Sequence, residues 1–234
     1  MTPTFLAGLR KVFREVEQDV LAGMKAMSRA PTWELFDIEK IQAAFAGVGE
    51  PFYTRLLIDV GAAEMGRMAV DVAFDVHRPE IAEFVAGWNG KFAKSVTQHT
   101  YADLRGTLTA GMDAGENTYQ LRQRVSQTME TKTKWEAERI ARTESARAVE
   151  GGRLEAWRQS GVVKGRKWVA SSDACEFCEG LAGMDGMQNL SAPFVEEGGI
   201  VNGVAGGEMV ADYGPIMHPP AHPNCACTTM EILA

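Results

Sequence analysis

Gly152-Arg153-Leu154-Glu155-Ala156-Trp157-Arg158-Gln159-Ser160-Gly161-Val162-Val163-Lys164-Gly165-Arg166-Lys167-Trp168-Val169-Ala170 is the stretch at which this chain changes character. Up to Gln159 it closes a long helix predicted from about Thr133, marked by small residues at helical spacing: Ala137, Ala141, Ser145, Ala148 and Gly152. Small side chains let another backbone come close, so this stripe predicts a tight packing seam. Glu144 and Arg147, three apart, stand beside it and read as an ordinary ion pair. After Gly161 the pattern becomes that of short strands, Val162-Val163 and Lys167-Trp168-Val169-Ala170, with Lys164 to Lys167 between them as a small basic turn.

Working back towards the N-terminus, the text is helical with Gly, Pro and Asn punctuation. Phe5, Leu9, Val12, Val16, Val20 and Met24 recur at three and four, predicting an amphipathic helix that ends near Ser28-Arg29-Ala30-Pro31. A second helix carries Trp33, Phe36, Ile41 and Phe45 and stops before Gly47 and Gly49. Pro51 and Pro79 are placed at the first turns of two more. Shorter helices follow, from about Tyr101 to Ala114 and, after the stop and cap in Gly115-Glu116-Asn117-Thr118, around Tyr119, Leu121 and Val125.

Working forward, the segment after Ala170 is rich in glycine and closes on a strand, Thr228 to Leu233. It contains all four cysteines: Cys175-Glu176-Phe177-Cys178, then His218-Pro219-Pro220-Ala221-His222-Pro223-Asn224-Cys225-Ala226-Cys227. Two short knuckles of this kind can aim four soft ligands at one tetrahedral zinc ion. The best set is Cys175, Cys178, His222 and Cys225, with Cys227 and His218 as alternates. Disulfides and unligated buried thiols are the other readings, the former disfavoured in a reducing compartment. The His-Glu-x-x-His and deaminase signatures are absent, so a closed structural site is expected rather than a catalytic one. A thioredoxin-like role would need the Cys-x-x-Cys to open a helix in a βαβ unit, which the sequence does not display.

The 234 residues carry a net charge of −7, unevenly spread: residues 1–130 sum to −3, 131–169 to +5 and 170–234 to −9, the last with no Lys or Arg at all. The cysteine region is therefore a poor reader of nucleic acid, and DNA contact would fall to the basic stretch 139–167. No run reaches the roughly 20 apolar residues that span a bilayer. His77 and His99 are read as surface or capping residues, and the paired glycines 198–199 and 206–207 lack a phosphate-binding pattern.

Taken in order, Arg139-Ile140-Ala141-Arg142-Thr143-Glu144, Gly152-Arg153, Lys167-Trp168-Val169, Asp173-Ala174-Cys175-Glu176-Phe177-Cys178 and His222-Pro223-Asn224-Cys225-Ala226-Cys227 resemble the C-terminal domain of the phage Mu F-like head morphogenesis, or minor head, proteins. The resemblance covers about residues 120 to 233. It departs at Ala226, where the family commonly has Arg. It implies a phage or prophage protein made in the bacterial cytoplasm and carried in the virion, in the capsid interior or at the portal vertex. Its implied partners are the portal or the major capsid protein, and it implies no established enzyme activity.

The expectation is an α+β protein: a helical arm or bundle over 1–115, then a head-morphogenesis domain over 116–234, in which a long helix leads into a small, mostly β region braced by a Cys/His cluster holding structural zinc. A head-carried metal-dependent hydrolase or nuclease, with Asp173, Glu176 and His218 near an open metal position, is the first alternative. A DNA-binding accessory using Lys164 to Lys167 is the second.

Overall fold

The computed structural model describes residues 3–26, 35–184 and 186–233. The predicted end of the first helix at Ser28 to Pro31, and Trp33, lie outside them. The element order is α1 (Pro3–Ala26), α2 (Ile38–Met68), α3 (Pro79–Asp113), α4 (Thr118–Thr131), a π-helical turn (Lys132–Glu136), α5 (Ala137–Ser160), β1 (Val163–Val169), α6 (Glu176–Ala182), β2 (Ile200–Asn202), β3 (Glu208–Val210) and β4 (Thr228–Leu233). The α+β reading holds. The chain divides into two compact units, Met1–Phe52 with Phe84–Ala141, and Tyr53–Glu83 with Arg142–Ala234.

The first unit is helical. The stripe read on α1 is buried along its whole length, Phe5 to Met24, together with Phe13. Phe5 stacks on Phe52 with ring centroids 3.8 Å apart, and Phe45 meets Phe13 and Phe92 edge to face at 5.2 and 6.3 Å. Asn117 starts α4 with a capping box: its side chain accepts from the Gln120 N–H, and the Gln120 side chain accepts from the Asn117 N–H. Lys132 is buried in the π-helical turn because Asp103 and Glu136 hold its ammonium at 2.7 and 2.8 Å.

Helix boundaries depart from the sequence reading. Gly47, Gly49 and Pro51 do not end a helix; α2 runs through all three. A proline there loses one backbone hydrogen bond and crowds the carbonyl four residues back. Burial of Phe45, Phe52, Tyr53 and Leu57 on the same helix outweighs that local cost. The segment Tyr101 to Ala114 is likewise the end of α3, which at 35 residues is longer than α5.

In the second unit the small-residue seam is real at Gly152. A Cβ there would lie 3.0 Å from the Leu57 carbonyl oxygen of α2, so only glycine lets these backbones approach so closely. Beside it, Trp157 donates its indole N–H to Glu64 at 2.7 Å. Glu150 accepts the Thr228 hydroxyl, the Thr229 N–H and the Thr229 hydroxyl, at 2.6, 2.9 and 2.5 Å, and pairs with Arg153 at 2.9 Å. These bonds fasten β4 to α5.

β4 pairs antiparallel with β1, Val169 opposite Thr228 and Lys167 opposite Met230. The two predicted strand fragments are thus one strand, and Lys164 to Lys167 lies within it rather than in a solvated turn. Arg166 is completely buried. Its guanidinium donates to the carbonyls of Asn189, Ala192 and Met217 and lies 5.0 Å over the Phe194 ring. It staples the glycine-rich loops and is out of reach of a DNA phosphate. That loop-rich segment also contains a helix, α6, and a hairpin, β2–β3, neither of which the sequence reading foresaw.

Candidate metal centre

Cys175 is the N-cap of α6 and Cys178 lies in its first turn, so one short helix directs both side chains of the first knuckle. The Cys-x-x-Cys therefore does open a helix. Its flanking strands form antiparallel pairs, β1 with β4 and β2 with β3, so this is not a βαβ unit. Two glycines are forced by the fit of α6. A Cβ on Gly180 would fall 2.1 Å from the Asn202 carbonyl oxygen, and one on Gly203 would meet the Glu176 carboxylate at 2.3 Å. The Glu176 carboxylate sits in the β2–β3 loop and accepts the Gly207 N–H at 3.2 Å.

The second knuckle is a tight turn: the Cys225 N–H donates to the His222 carbonyl at 3.2 Å. Asn224 inside it adopts φ +61°, a left-handed conformation that Asn tolerates better than most residues. Its N–H donates to the Thr143 hydroxyl of α5 at 3.1 Å, which anchors the turn. The Pro219–Pro220 peptide bond upstream is cis.

The two knuckles converge. His222 Nε2 lies 3.1 Å from Cys175 Sγ and 3.2 Å from Cys178 Sγ, and Cys178 Sγ lies 3.5 Å from Cys225 Sγ. Ligand atoms around a tetrahedral zinc are separated by about 3.5–3.8 Å, given bonds of roughly 2.3 Å to sulfur and 2.0 Å to nitrogen. These three spacings are within a few tenths of an ångström of that, while Cys225 falls outside the group formed by Cys175, Cys178 and His222. A disulfide needs about 2.05 Å, and all four cysteines are free thiols. The His222 Nδ1–H donates to the Pro223 carbonyl at 2.9 Å, which fixes the tautomer with the Nε2 lone pair facing the sulfurs. Donor chemistry and tautomer both fit a zinc ion.

Two ligand groups meet at Cys178, one of Cys175, Cys178 and His222, the other of Cys178, Cys225 and Cys227. Such a Cys/His cluster can hold a metal ion. The five donors are split between two groups of three that share Cys178. Cys227 Sγ also lies 3.9 Å from the Ser171 hydroxyl. His218 belongs to neither group: it is buried and points its Nδ1 at the Pro219 carbonyl, 2.7 Å away. Among the described residues no carboxylate joins either group. Asp173 is exposed, and Glu176 is engaged by the hairpin.

Cys178 and Cys225 shift one another in opposite directions. The hydrogen bond from Cys178 pulls the Cys225 thiol down to about 5, against its burial and with help from the backbone N–H groups of Cys227 and Ala221. The same hydrogen bond and burial drive Cys178 upward. Cys178, Cys225 and Cys227 pack with Trp168, Leu181, Phe194, Val201, Ala211 and Ile216 in one apolar core, with Cys175 half-buried against it and His222 half-exposed.

The residues read as motifs in the sequence cluster around this centre. Thr143 holds Asn224, Arg153 donates to the Thr228 hydroxyl at 2.6 Å, and Trp168 meets Phe194 edge to face at 5.3 Å. The phage Mu protein F like family matches residues 102–230, over half of the chain. The chain belongs to that family. Neither the curated proteins nor the solved structures contain a match. In this Mu F-like protein the matched segment includes every residue of both ligand groups. The sequence reading missed Glu150, Arg166 and Thr143 as anchors of this region. Their types gave no signal, because a buried polar or charged side chain reads like a surface one until the facing element is known.

Proposed function

We propose that this Mu F-like protein is a minor head protein of a phage or prophage, acting by binding in head assembly or DNA delivery near the portal. In this reading residues 116–234 form the head-morphogenesis domain, residues 1–115 form a helical arm, and the protein resides in the capsid interior or at the portal vertex. The observation that carries it is the family match over residues 102–230, on the segment in which the motif residues meet. No described helix is long and apolar enough to cross a membrane, in keeping with partners that are head components.

Within that role Cys175, Cys178, His222 and Cys225 hold a structural zinc ion, with Cys227 as the alternate fourth ligand. When bound, the metal joins the two knuckles and fixes the loops between them. Three of the five donors lodged in an apolar core, with the neighbouring Glu176 carboxylate committed to a hairpin, support a brace over a hydrolytic centre. The DNA reading is weakened by internal pairing of the basic stretch: Arg147 with Glu144, Arg153 with Glu150, Arg158 with Glu155, and Arg166 among carbonyls.

The test is pull-down with the portal and major capsid proteins of its own phage, alongside co-purification with procapsids. Retention by one of them is the expected result. Absence from procapsids and failure to bind either protein would refute the role.

A further inference from the structure

The β2–β3 hairpin has two unlike faces. Val201 is buried and Met209 partly buried on the inner one. In antiparallel strands directly opposed residues share a face, so the pairs Ile200↔Val210 and Asn202↔Glu208 make up the outer one. Ile200 is 51% and Val210 54% exposed, and Val204 in the connecting loop is 64% exposed. β-branched residues at such positions stabilise a strand of only three residues less than they would by being covered.

The rim of this face is acidic. Glu196 and Glu197 form the turn before β2, closed by the Gly199 N–H on the Glu196 carbonyl at 2.9 Å. Asp212 follows β3, and Glu208 stands on the face itself. All four are exposed, and none takes part in an ion pair among the described residues. No Lys or Arg occurs anywhere from 170 to 234 to offset them. Uncompensated carboxylates around an apolar centre match a partner carrying the opposite charge around apolar side chains.

We infer that the outer face of the β2–β3 hairpin docks a basic, apolar segment of another head protein, Ile200, Val204 and Val210 taking its apolar side chains and Glu196, Glu197, Glu208 and Asp212 its Lys or Arg. A second copy of this chain fits less well, because the arginines of its own basic stretch are largely engaged internally. Nucleic acid is repelled by the carboxylates. The inference rests on the proposed head-protein role and names the contact through which that role operates.

The test is binding of the full chain to the purified portal and major capsid proteins of its phage, measured by titration at about 50 and 300 mM salt. Ile200→Glu with Val210→Glu weakens binding at least about tenfold, roughly 1.4 kcal/mol. Glu196→Lys with Glu197→Lys weakens it by a similar factor at low salt, and the difference shrinks at high salt. All four positions are exposed, so both variants fold, which circular dichroism verifies. Binding left intact by both variants overturns this surface and spares the head-protein role; no binding by the unsubstituted chain to either protein overturns both. Self-association of the chain, abolished by Ile200→Glu, would give the face to a second copy instead.

Discussion

The backbone N–H of Asn224 donates to the side-chain oxygen of Thr143 at 3.1 Å, tying the turn between His222 and Cys225 to helix α5. The two residues are far apart in sequence, and each sits in the middle of a short motif. Thr143→Val keeps the shape and removes the acceptor. It should lower stability by about 1–2 kcal/mol, the cost of leaving that N–H without its partner. Denaturant unfolding followed by Trp fluorescence measures it, and an unchanged midpoint would show that the contact contributes nothing.

Glu150 should matter more. Its carboxylate takes three hydrogen bonds from Thr228 and Thr229 and pairs with Arg153. Glu150→Ala leaves three β4 donors without their acceptor and takes one carboxylate from the half-buried Arg153, at a cost of about 3 kcal/mol. Hydrogen exchange should show β4 amides losing protection first. Uniform loss across the unit would argue against a local fastening.

Two glycines separate crowding from backbone freedom. Gly180→Ala puts a methyl 2.1 Å from the Asn202 carbonyl oxygen, so backbone must move and stability should fall by about 2 kcal/mol. Gly47→Ala, on an open face of α2, meets nothing within 4 Å and should raise stability by about 0.5–1 kcal/mol. Thermal melts of the pair decide this by opposite signs.

His218 sets a pH dependence. Burial first, with the positive charges of Arg147, Arg166 and Arg158, lowers its pKa from 6.5 to about 3, against the pull of the Pro219 carbonyl. The unfolded chain therefore takes up a proton below about 6.5 that the native state refuses until about 3. The sign follows: this contribution to stability is whole above pH 6.5 and is lost as pH falls towards 3, at up to about 1.4 kcal/mol per pH unit. Unfolding at fixed zinc concentration between pH 7 and 5 should show that slope reduced in His218→Gln. Equal slopes in both proteins would refute it.

The sequence was a good guide where periodicity was strong and a poor one where tertiary context decides. The α1 stripe, the Asn117 cap and strand β4 were legible because apolar spacing, a capping residue and a terminal alternation are local signals. The passage of α2 through Pro51 was not, because burial at Phe45, Phe52 and Tyr53 overrides a local breaker. That Cys175, Cys178 and His222 meet could be guessed from knuckle spacing. That Cys227 also reaches Cys178, while His218 turns towards Pro219, depends on loop geometry that no spacing encodes.

The proposed fourth ligand, Cys225, is open to a direct test. Cys225→Ser should weaken zinc binding by at least about tenfold, while Cys227→Ser should leave most of it. A competition titration against a chromogenic chelator separates them. The reverse order would make Cys227 the ligand.

Metal content of the chain purified without added zinc bears most directly on the centre. The expected result is about one zinc per chain, with strong chelation removing it and abolishing cooperative unfolding of the Cys/His region while α1 to α4 stay helical. A metal-free protein whose four thiols react freely while it remains fully folded would contradict the account.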